Sequence, residues 1–495
     1  MRPSWPAIRL ALAAAITLSG CGGESRHDAT QPAAGGSPEA SVTARRPIYP
    51  LTASANHRYL VDSEGAPVLL VGDGAAQTLV QRIPDVVTTY LDDRAAHGFN
   101  ALWMHVIVND QDGGNVDGQT DDGIKPFVTT LRSESCSKGP CYDLSAPNPA
   151  YFARVDQILK IAAANGMVVF LDTLENNSYL QLFQLNGRAR VARWAQYLVE
   201  RYKSFPNIVW MTGNDFQTWS SNSTTQATDG SSATDNQLAQ TIMATIAATD
   251  STHLQTTELN YNMSGSLDDQ LLVPFTSLAA AYSYYPVYHQ ALRGYDSTAR
   301  TAPVYLIESY YEHYWYGNLD PHSADDRMLR KIPYWTVLAG GLGGYFYGSI
   351  WYVFPNYWRN RIDTRAVTQL GYWKELFTSL PWYDLVPDQN HLIVTAGYGT
   401  PSGDGRGNIQ TDAYVTAGGT PDHRLAIAYL PAGGTITVDM TRLSGTVVGQ
   451  WFDPTTGTYA PVANSPFPNT GLRSFAAPGH NGAGDADWVL ILRVQ

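Results

Sequence analysis

The chain has 495 residues, a formal net charge of −12 and 44% hydrophobic side chains, so it is long enough for two cored domains and too apolar to be disordered. No stretch concentrates its 32 Lys and Arg, which excludes a phosphate-tracking surface for nucleic acid. Its 30 Tyr and 13 Trp offer ring faces that stack on sugars, although many of them must be core.

Arg2 and Arg9 lead an apolar stretch, Leu10 to Leu18, that is too short to span a bilayer and runs into Ser19-Gly20-Cys21. Leu18-Ser19-Gly20-Cys21 resembles a lipobox. Residues 1–20 are therefore expected to be a lipoprotein signal peptide, and Cys21 the lipidated first residue of an exported protein. The expected location is the bacterial cell envelope, anchored at the outer membrane or the periplasmic face. Residues 21–48, mostly Gly, Ser, Ala, Pro and Thr with scattered charge, cannot bury enough surface to order themselves and are expected to be a flexible linker. With Cys21 assigned to lipid, Cys136 and Cys141 remain as a pair in an oxidising setting, which predicts a small disulfide loop around Ser137-Lys138-Gly139-Pro140. Two thiols without a nearby His do not suit a metal.

Tyr59-Leu60-Val61 and Val68-Leu69-Leu70-Val71 flank the turn Asp62-Ser63-Glu64-Gly65 and predict a hairpin leading into a buried strand that ends at Gly72-Asp73. Pro84 and Asp85 open a helix carrying Val86, Val87, Tyr90 and Leu91; Gly98 stops it, and a strand from Ala101 to Val106 follows. After a long loop, a helix with Phe152, Val155, Ile158, Leu159 and Ala162 feeds the strand Val168-Val169-Phe170-Leu171-Asp172. A further helix, with Val191, Ala195, Leu198, Val199 and Tyr202 at helical spacing, precedes Ile208-Val209-Trp210-Met211. Leu254 to Glu258, Ser277 to Tyr284, Val304 to Glu308 and Gly343 to Gly348 bring the strands to eight. Alternating helices and strands predict a parallel sheet with helices outside it, and eight units within residues 49–380 predict a (βα)8 TIM barrel, an α/β fold. Beyond Pro381 the pattern changes to short β runs: His391 to Thr395, Ala413 to Thr416, Arg424 to Leu430, Thr435 to Val438, Val447 to Trp451 and Trp488 to Arg493. Gly, Pro, Asn and Asp separate them, which predicts an antiparallel β-sandwich domain over residues 381–495.

Parallel barrels do their chemistry at the C-terminal ends of their strands. Those positions read Asp73, His105, Asp172, Asp215, Glu258, Tyr284, Glu308 and Tyr347, an acid-rich rim suited to hydroxyl groups. Any one of these acids could instead be a helix N-cap or a rim ion pair. Asp215 and Glu308 are 93 residues apart, about three βα units, which fits strands four and seven of one barrel. Paired carboxylates at strand ends are what cleavage of a glycosidic bond needs, one to protonate the leaving oxygen and one to attack or to activate water. Asn214 supplies a donor for a sugar hydroxyl, and Trp210, Phe216 and Trp219 supply apolar surface that raises the pKa of an acid beside them. Tyr305, Tyr310, Tyr311 and Tyr314 surround Glu308 with hydroxyls that keep a nucleophile ionised. Two loops, Asn109 to Asn148 and Thr218 to Asp235, have the length that usually carries function. The acids of the first, among them Asp110, Asp112, Asp121 and Asp122, do not follow the EF-hand pattern and are expected to be solvated. Neither His-Glu-x-x-His nor Gly-x-Ser-x-Gly occurs, which leaves a peptidase without support.

Gly72-Asp73, Arg94-Ala95-Ala96 with Gly98-Phe99-Asn100, Asn148-Pro149-Ala150-Tyr151-Phe152, Asn207 to Asp215 and Pro303 to Glu308 resemble, in that order, the apiosidase-like glycoside hydrolase family. So do Tyr334-Trp335 with Gly340 to Gly344, Tyr347-Gly348 and Ile350-Trp351. The resemblance implies a TIM barrel in which Asp215 is the acid/base and Glu308 the nucleophile of a retaining double displacement. Asp73, His105, Asn214, Glu258, Tyr284, Tyr347 and Trp351 are the expected substrate-binding residues. Gly74-Ala75-Ala76-Gln77 stands where relatives carry an aromatic residue soon after Asp73, so the subsite of the first loop is expected to differ. The C-terminal segment is similar to the β domain, labelled collagen-binding, that often follows this barrel, and nothing in its residues specifies collagen. Neither a metal nor a cofactor is expected. The expected partners are a plant or microbial poly- or oligosaccharide and, through Cys21, a membrane. The competing expectation is a catalytically inactive glycan-binding lipoprotein of the cell surface, which affinity without release of a reducing end would distinguish.

Overall fold

The computed structural model describes residues 46–495 except 134, 261, 314–324, 350–353, 355–357, 361 and 404. The expected leader with Cys21, and also Tyr314 and Trp351, lie outside the described residues. Residues 46–495 form one compact unit.

Eight parallel strands make the barrel: β1 (Leu70–Asp73), β2 (Ala101–His105), β3 (Val168–Asp172), β4 (Ile208–Met211), β5 (Gln255–Thr256), β6 (Ala279–Ser283), β7 (Val304–Glu308) and β8 (Gly344–Ser349). Their order is β5-β4-β3-β2-β1-β8-β7-β6. β5 and β6 share no ladder. The Gln255 carbonyl accepts from Ser277 N (2.9 Å) and Leu278 N (3.2 Å), and Gln255 N donates to Ser277 Oγ (2.8 Å), which stitches that seam. The helices α1 (Pro84–Ala96), α2 (Pro149–Ala164), α3 (Asn176–Tyr202), α4 (Asp235–Thr249), α5 (Tyr288–Tyr295), α6 (Asp326–Leu338) and α7 (Arg365–Thr378) alternate with the strands. Among the described residues, the connection between β5 and β6 carries only a 3₁₀ turn, Val273–Phe275, and an antiparallel strand, Met263–Gly265, beside β6. α3 breaks at Gly187, whose φ of 67° no helix allows, and the sequence pattern had shown only the half after that break.

All eight strands are buried along their whole length, so their apolar runs do not alternate. Phe170, Tyr305 and Phe346, from three different strands, meet with ring centroids 4.8 to 5.6 Å apart and fill the lumen. Gly72 makes room for this: a Cβ there would lie 2.4 Å from Phe346 Cγ. The run 68–71 is divided by the structure. Pro67–Val68 pairs with Leu60–Val61 in the hairpin, whereas Leu70 begins the barrel.

The second part has nine strands among the described residues: β9 (Val386–Pro387), β10 (Val394–Ala396), β11 (Thr416–Gly419), β12 (Leu425–Leu430), β13 (Thr435–Asp439), β14 (Val447–Asp453), β15 (Thr458–Pro461), β16 (Leu472–Ala476) and β17 (Trp488–Val494). They form two antiparallel sheets, β9-β11-β12-β17-β14-β15 and β10-β13-β16, which sandwich Ala426, Ala428, Leu430, Ile436, Val438, Leu490 and Leu492. The larger sheet is covered on both faces. Leu425, Ile427, Tyr429, Val489 and Ile491 belong to the barrel's own core cluster, and the Tyr429 ring stacks on Tyr334 of α6 at 4.6 Å. β9, β15 and β16 had no apolar signature in the sequence because they are edge strands with mostly exposed or half-exposed side chains.

Candidate active site

The turn after β4 carries the first acid, and its polar groups are held from three sides. Gly213 N donates to Asp172 Oδ1 (3.2 Å), Asn176 N donates to Asn214 Oδ1 (2.8 Å), and Asn176 Nδ2 donates to the Asn214 carbonyl (2.9 Å). Asp215 N donates to Glu258 Oε2 (3.2 Å). So held, Asp215 adopts a φ of 42°, a left-handed conformation that a residue with a Cβ adopts only when its surroundings impose it, often at a functional site.

Glu308 is the last residue of β7. Along β6, Ala281 lies opposite Leu306, but the next residue, Tyr282, lies opposite Glu308. This shift in register brings Tyr282 level with the acid, as bulges beside active sites do. The Tyr282 hydroxyl lies 2.7 Å from Asp215 Oδ1 and 2.9 Å from Glu308 Oε1. Tyr284 OH donates to Glu308 Oε1 (2.6 Å), Tyr311 OH donates to Oε2 (2.9 Å), and Gln77 Nε2 donates to the Tyr311 oxygen (3.0 Å). Of the other tyrosines expected around Glu308, Tyr305 meets Thr256 Oγ1 (3.2 Å) inside the barrel, and Tyr310 sets its ring edge-on to Tyr284 at 5.3 Å.

Three acids thus crowd one spot. Burial pushes Asp215 up to about 6. It pushes Glu308, with the Asp215 charge beside it, up to about 8. Glu258, 1% exposed, is raised well above the carboxylate range by burial and then by Glu308 and Asp215. Beside them His105 is fully buried, with Nδ1 2.8 Å from Asp172 Oδ2 and Nε2 3.6 Å from Asp112 Oδ2. Burial opposes its charge, but the two carboxylates prevail and lift it to about 10, so it is an imidazolium. Glu175 caps α3 by accepting from Asn177 N (2.6 Å) and Ser178 N, and burial with the Asp112 charge lifts it to about 8. Asp112 is therefore no solvated bystander of its loop. Its charge reaches His105, Glu175 and Asp215.

Other expected residues face elsewhere. Asp73 is sealed: Oδ1 accepts from Ala75 N (2.7 Å) and Oδ2 from Tyr90 OH (2.6 Å) of α1, so it looks into the helix layer. Tyr347 does the same, donating to Glu312 Oε2 with its ring against Phe99. Trp210 donates from Nε1 to Asp250 Oδ2 (2.8 Å) at the end of α4 and gives Asp215 no apolar wall. Gln77, Glu175 and Tyr282 had no signal of their own in the sequence, and Asp112 had only that of an acidic loop. Cys136 and Cys141 are bonded, and their loop grips the site from outside. Lys138 Nζ donates to the Asn177 carbonyl, Ser137 N donates to Gln181 Oε1 (2.7 Å), and Asn109 Nδ2 donates to the Lys138 carbonyl (2.6 Å).

Among known proteins, residues 54–384 match the family model described as "Apiosidase-like, catalytic domain". Residues 405–493 match "Putative collagen-binding domain of a collagenase". No curated protein matches the chain. A solved structure described as "Glycoside hydrolase" is similar with a TM-score of 0.71 at 19% identity, over 90% of this chain and 97% of that one. A glycoside hydrolase family 5 protein from Bacteroides vulgatus ATCC 8482 is similar with a TM-score of 0.72 at 19% identity, over 91% of this chain and 96% of that one. At such identity the two structures speak for the fold, a glycoside hydrolase barrel followed by a β domain. The match to the catalytic-domain model takes in about two thirds of the chain and both strands that end in the paired acids, and the chain belongs to the apiosidase-like family.

Proposed function

We propose that this protein is a retaining glycoside hydrolase that cleaves a glycosidic bond in a plant or microbial polysaccharide, with Asp215 as acid/base and Glu308 as nucleophile. The observation that carries this reading is the Tyr282 hydroxyl between the two acids. A hydroxyl has one proton, so hydrogen bonds to two carboxyl groups require a second proton on one of them. Gln77 gives its N–H to the Tyr311 oxygen, which leaves the Tyr311 proton for Glu308 Oε2, and Tyr284 offers its own to Oε1. Glu308 is thus the acceptor of three hydroxyls, and the second proton belongs to Asp215. Burial and a charged Asp215 would by themselves favour the proton on Glu308, about 8 against about 6. Once Asp215 is neutral that charge no longer acts, and the three donors decide for an ionised Glu308.

The spacing supports retention. With the Tyr282 oxygen 2.7 Å from one acid and 2.9 Å from the other, the two carboxylate oxygens are at most about 5.6 Å apart. Retaining pairs stand roughly 5–5.5 Å apart and inverting pairs roughly 6.5–9.5 Å. Glu308 attacks the anomeric carbon while Asp215 protonates the leaving oxygen; Asp215 then takes a proton from the water that releases the sugar. Glu258, Tyr284 and Asn214 are the proposed sugar contacts from the rim, with Asp112 added in front of His105 and Trp351 retained from the sequence. Asp73 and Tyr347 leave the set. Membership of the apiosidase-like family supports a polysaccharide side chain as substrate, and export with a lipid anchor at Cys21 completes the proposal.

Glu308→Ala is expected to cost roughly 10⁴-fold or more in kcat on an activated aryl glycoside. Added azide should restore turnover and yield a glycosyl azide of the opposite anomeric configuration to the substrate. Wild-type activity in Glu308→Ala would overturn the assignment. Measurable glycan affinity with no hydrolysis by the wild-type protein would favour the inactive binding protein.

A further inference from the structure

Glu258 sits two residues beyond β5, is 1% exposed, and divides its carboxyl between two tasks. Oε2 accepts the N–H of Asp215, the residue whose backbone is left-handed. The backbone N of Glu258 in turn donates to the Gly213 carbonyl (3.1 Å), so this one residue clasps the acid-bearing turn at both ends. Oε1 is buried and has no hydrogen-bond partner among the described residues. The groups that face it are Asp172 of β3, Asp215 of the β4 turn, Tyr282 of β6, and Tyr305 and Glu308 of β7, with no basic group among them. A charged carboxylate with one oxygen unpaired, in front of two or three others, has nothing to offset its desolvation. A carboxylic acid has far less to lose there, and its O–H is a donor waiting for an acceptor.

On the reading of Asp215 and Glu308 given above, we infer that Glu258 works as a neutral carboxylic acid, a positioning residue that holds the Asp215 turn through Oε2 and offers Oε1–H to a hydroxyl of the bound sugar. Three consequences follow from the geometry. Asp215 keeps its orientation while it gives up and regains its proton, because the clasp acts on its backbone. The pocket holds one negative charge, on Glu308, when substrate arrives. The orphaned oxygen is satisfied only in the complex, so the sugar that fills the pocket carries a hydroxyl at that point.

The experiment uses the whole soluble chain with Glu258→Gln and Glu258→Ala. Glutamine keeps an acceptor for Asp215 N and replaces O–H by N–H. Its loss in kcat/KM should be at least about 10-fold smaller than that of alanine, and both limbs of the pH profile should stay in place, since no charge has been removed. Alanine releases the turn, and kcat should fall roughly 10²-fold, the scale of an ångström-sized misplacement. Limbs that move to lower pH by about one unit or more in Glu258→Gln would mean that wild-type Glu258 carries a charge, and would overturn the inference. A glutamine variant as impaired as the alanine variant would overturn it too. A second readout needs no substrate: the infrared difference between wild type and Glu258→Gln at pH 7 should contain the carbonyl band of one protonated carboxylic acid. Loss of a carboxylate band in its place would sink the inference. A wild-type protein that hydrolyses no glycoside yet shows the protonated band would remove the catalytic reading and leave the neutral Glu258 standing.

Discussion

Tyr282 has one proton for two acids, and so it decides which of them is charged. Tyr282→Phe removes a donor from Glu308 and the acceptor for the Asp215 proton. Without that donor the Glu308 pKa rises, and the acid limb of kcat/KM, which follows ionisation of the nucleophile, should move to higher pH. The loss in kcat/KM at the optimum is expected to be about 10²-fold or more, with KM changing far less. An acid limb that stays where it was would show that Tyr282 is only packing. At this scale the sequence was legible where an acid ended an apolar run, as at Asp215 and Glu308. It was illegible in direction. Asp73 and Tyr347 also end apolar runs, but each strand is buried on both faces, so no alternation tells which side chains turn to the lumen and which to the helices. Tyr282 was hidden by the register shift after Ala281, which leaves no trace in the residue pattern. Asp112 was misjudged because an acidic loop looks the same whether it is solvated or folded back over a buried His105.

Elements were read more reliably than side chains, because a strand needs only a run of apolar residues whereas a contact needs a partner from elsewhere in the chain. β7 was anticipated to the residue, and β5 shrank to two residues because its neighbour β6 meets it through Ser277 instead of through a ladder. The disulfide loop shows an element whose existence was legible and whose purpose was not. Cys136 and Cys141 could be paired by counting, but only the fold brings Lys138 to the Asn177 carbonyl, beside Asp215, and to Asn109, whose carbonyl accepts from Asp112 N. Asn177 hydrogen-bonds to Asp215, so the loop buttresses the acid through one intermediate. Replacing both cysteines by serine removes the constraint on a short loop, worth about 2 kcal/mol. Were that all, activity at low temperature would be unchanged. The buttress predicts a fall in kcat as well, several-fold, with a shift in the Asp215 limb of the pH profile. A melting temperature that drops with kcat unaltered would reduce the loop to a staple.

At the scale of the molecule, barrel and sandwich share a core instead of merely touching, and the shared face is locked by charge. Arg330 of α6, 3% exposed, donates to Asp487 Oδ2 (2.8 Å) and Oδ1 (2.8 Å), to Asp485 Oδ2 (2.7 Å) and to Gln369 Oε1 (2.8 Å). Its neighbour Lys331 donates to the carbonyls of Gln410 (2.8 Å) and Asp412 (3.1 Å). Arg330→Ala leaves the Asp487 charge buried without a cation, with only Tyr429 OH (3.0 Å) and Asn481 Nδ2 (2.8 Å) donating to it, at a cost of about 3–5 kcal/mol, and calorimetry should resolve two transitions where wild type has one. A single transition at the wild-type temperature would mean that the apolar contact of Tyr429 and Tyr334 suffices. The buried acids of the site act on stability in one direction. Asp215 rises to about 6, Glu175 to about 8, and Glu258 further, all above the roughly 4 of an unfolded carboxyl. His105, lifted to about 10 from roughly 6.5, adds to them. Between about pH 5 and 8 the folded protein therefore binds more protons than the unfolded chain, and its stability must fall as the pH rises through that window. Asp250 works the other way, its carboxyl depressed by His253, Trp210 and Thr252 N, but the stability it contributes is lost only below about pH 4. The melting temperature should accordingly be highest near pH 5 and decline by several degrees towards pH 8. Asp215→Asn, which removes one of the protons taken up on folding, should flatten that decline. A melting temperature that is level or climbs between pH 5 and 8 would show that Asp215, Glu175 and Glu258 are not held protonated by the fold.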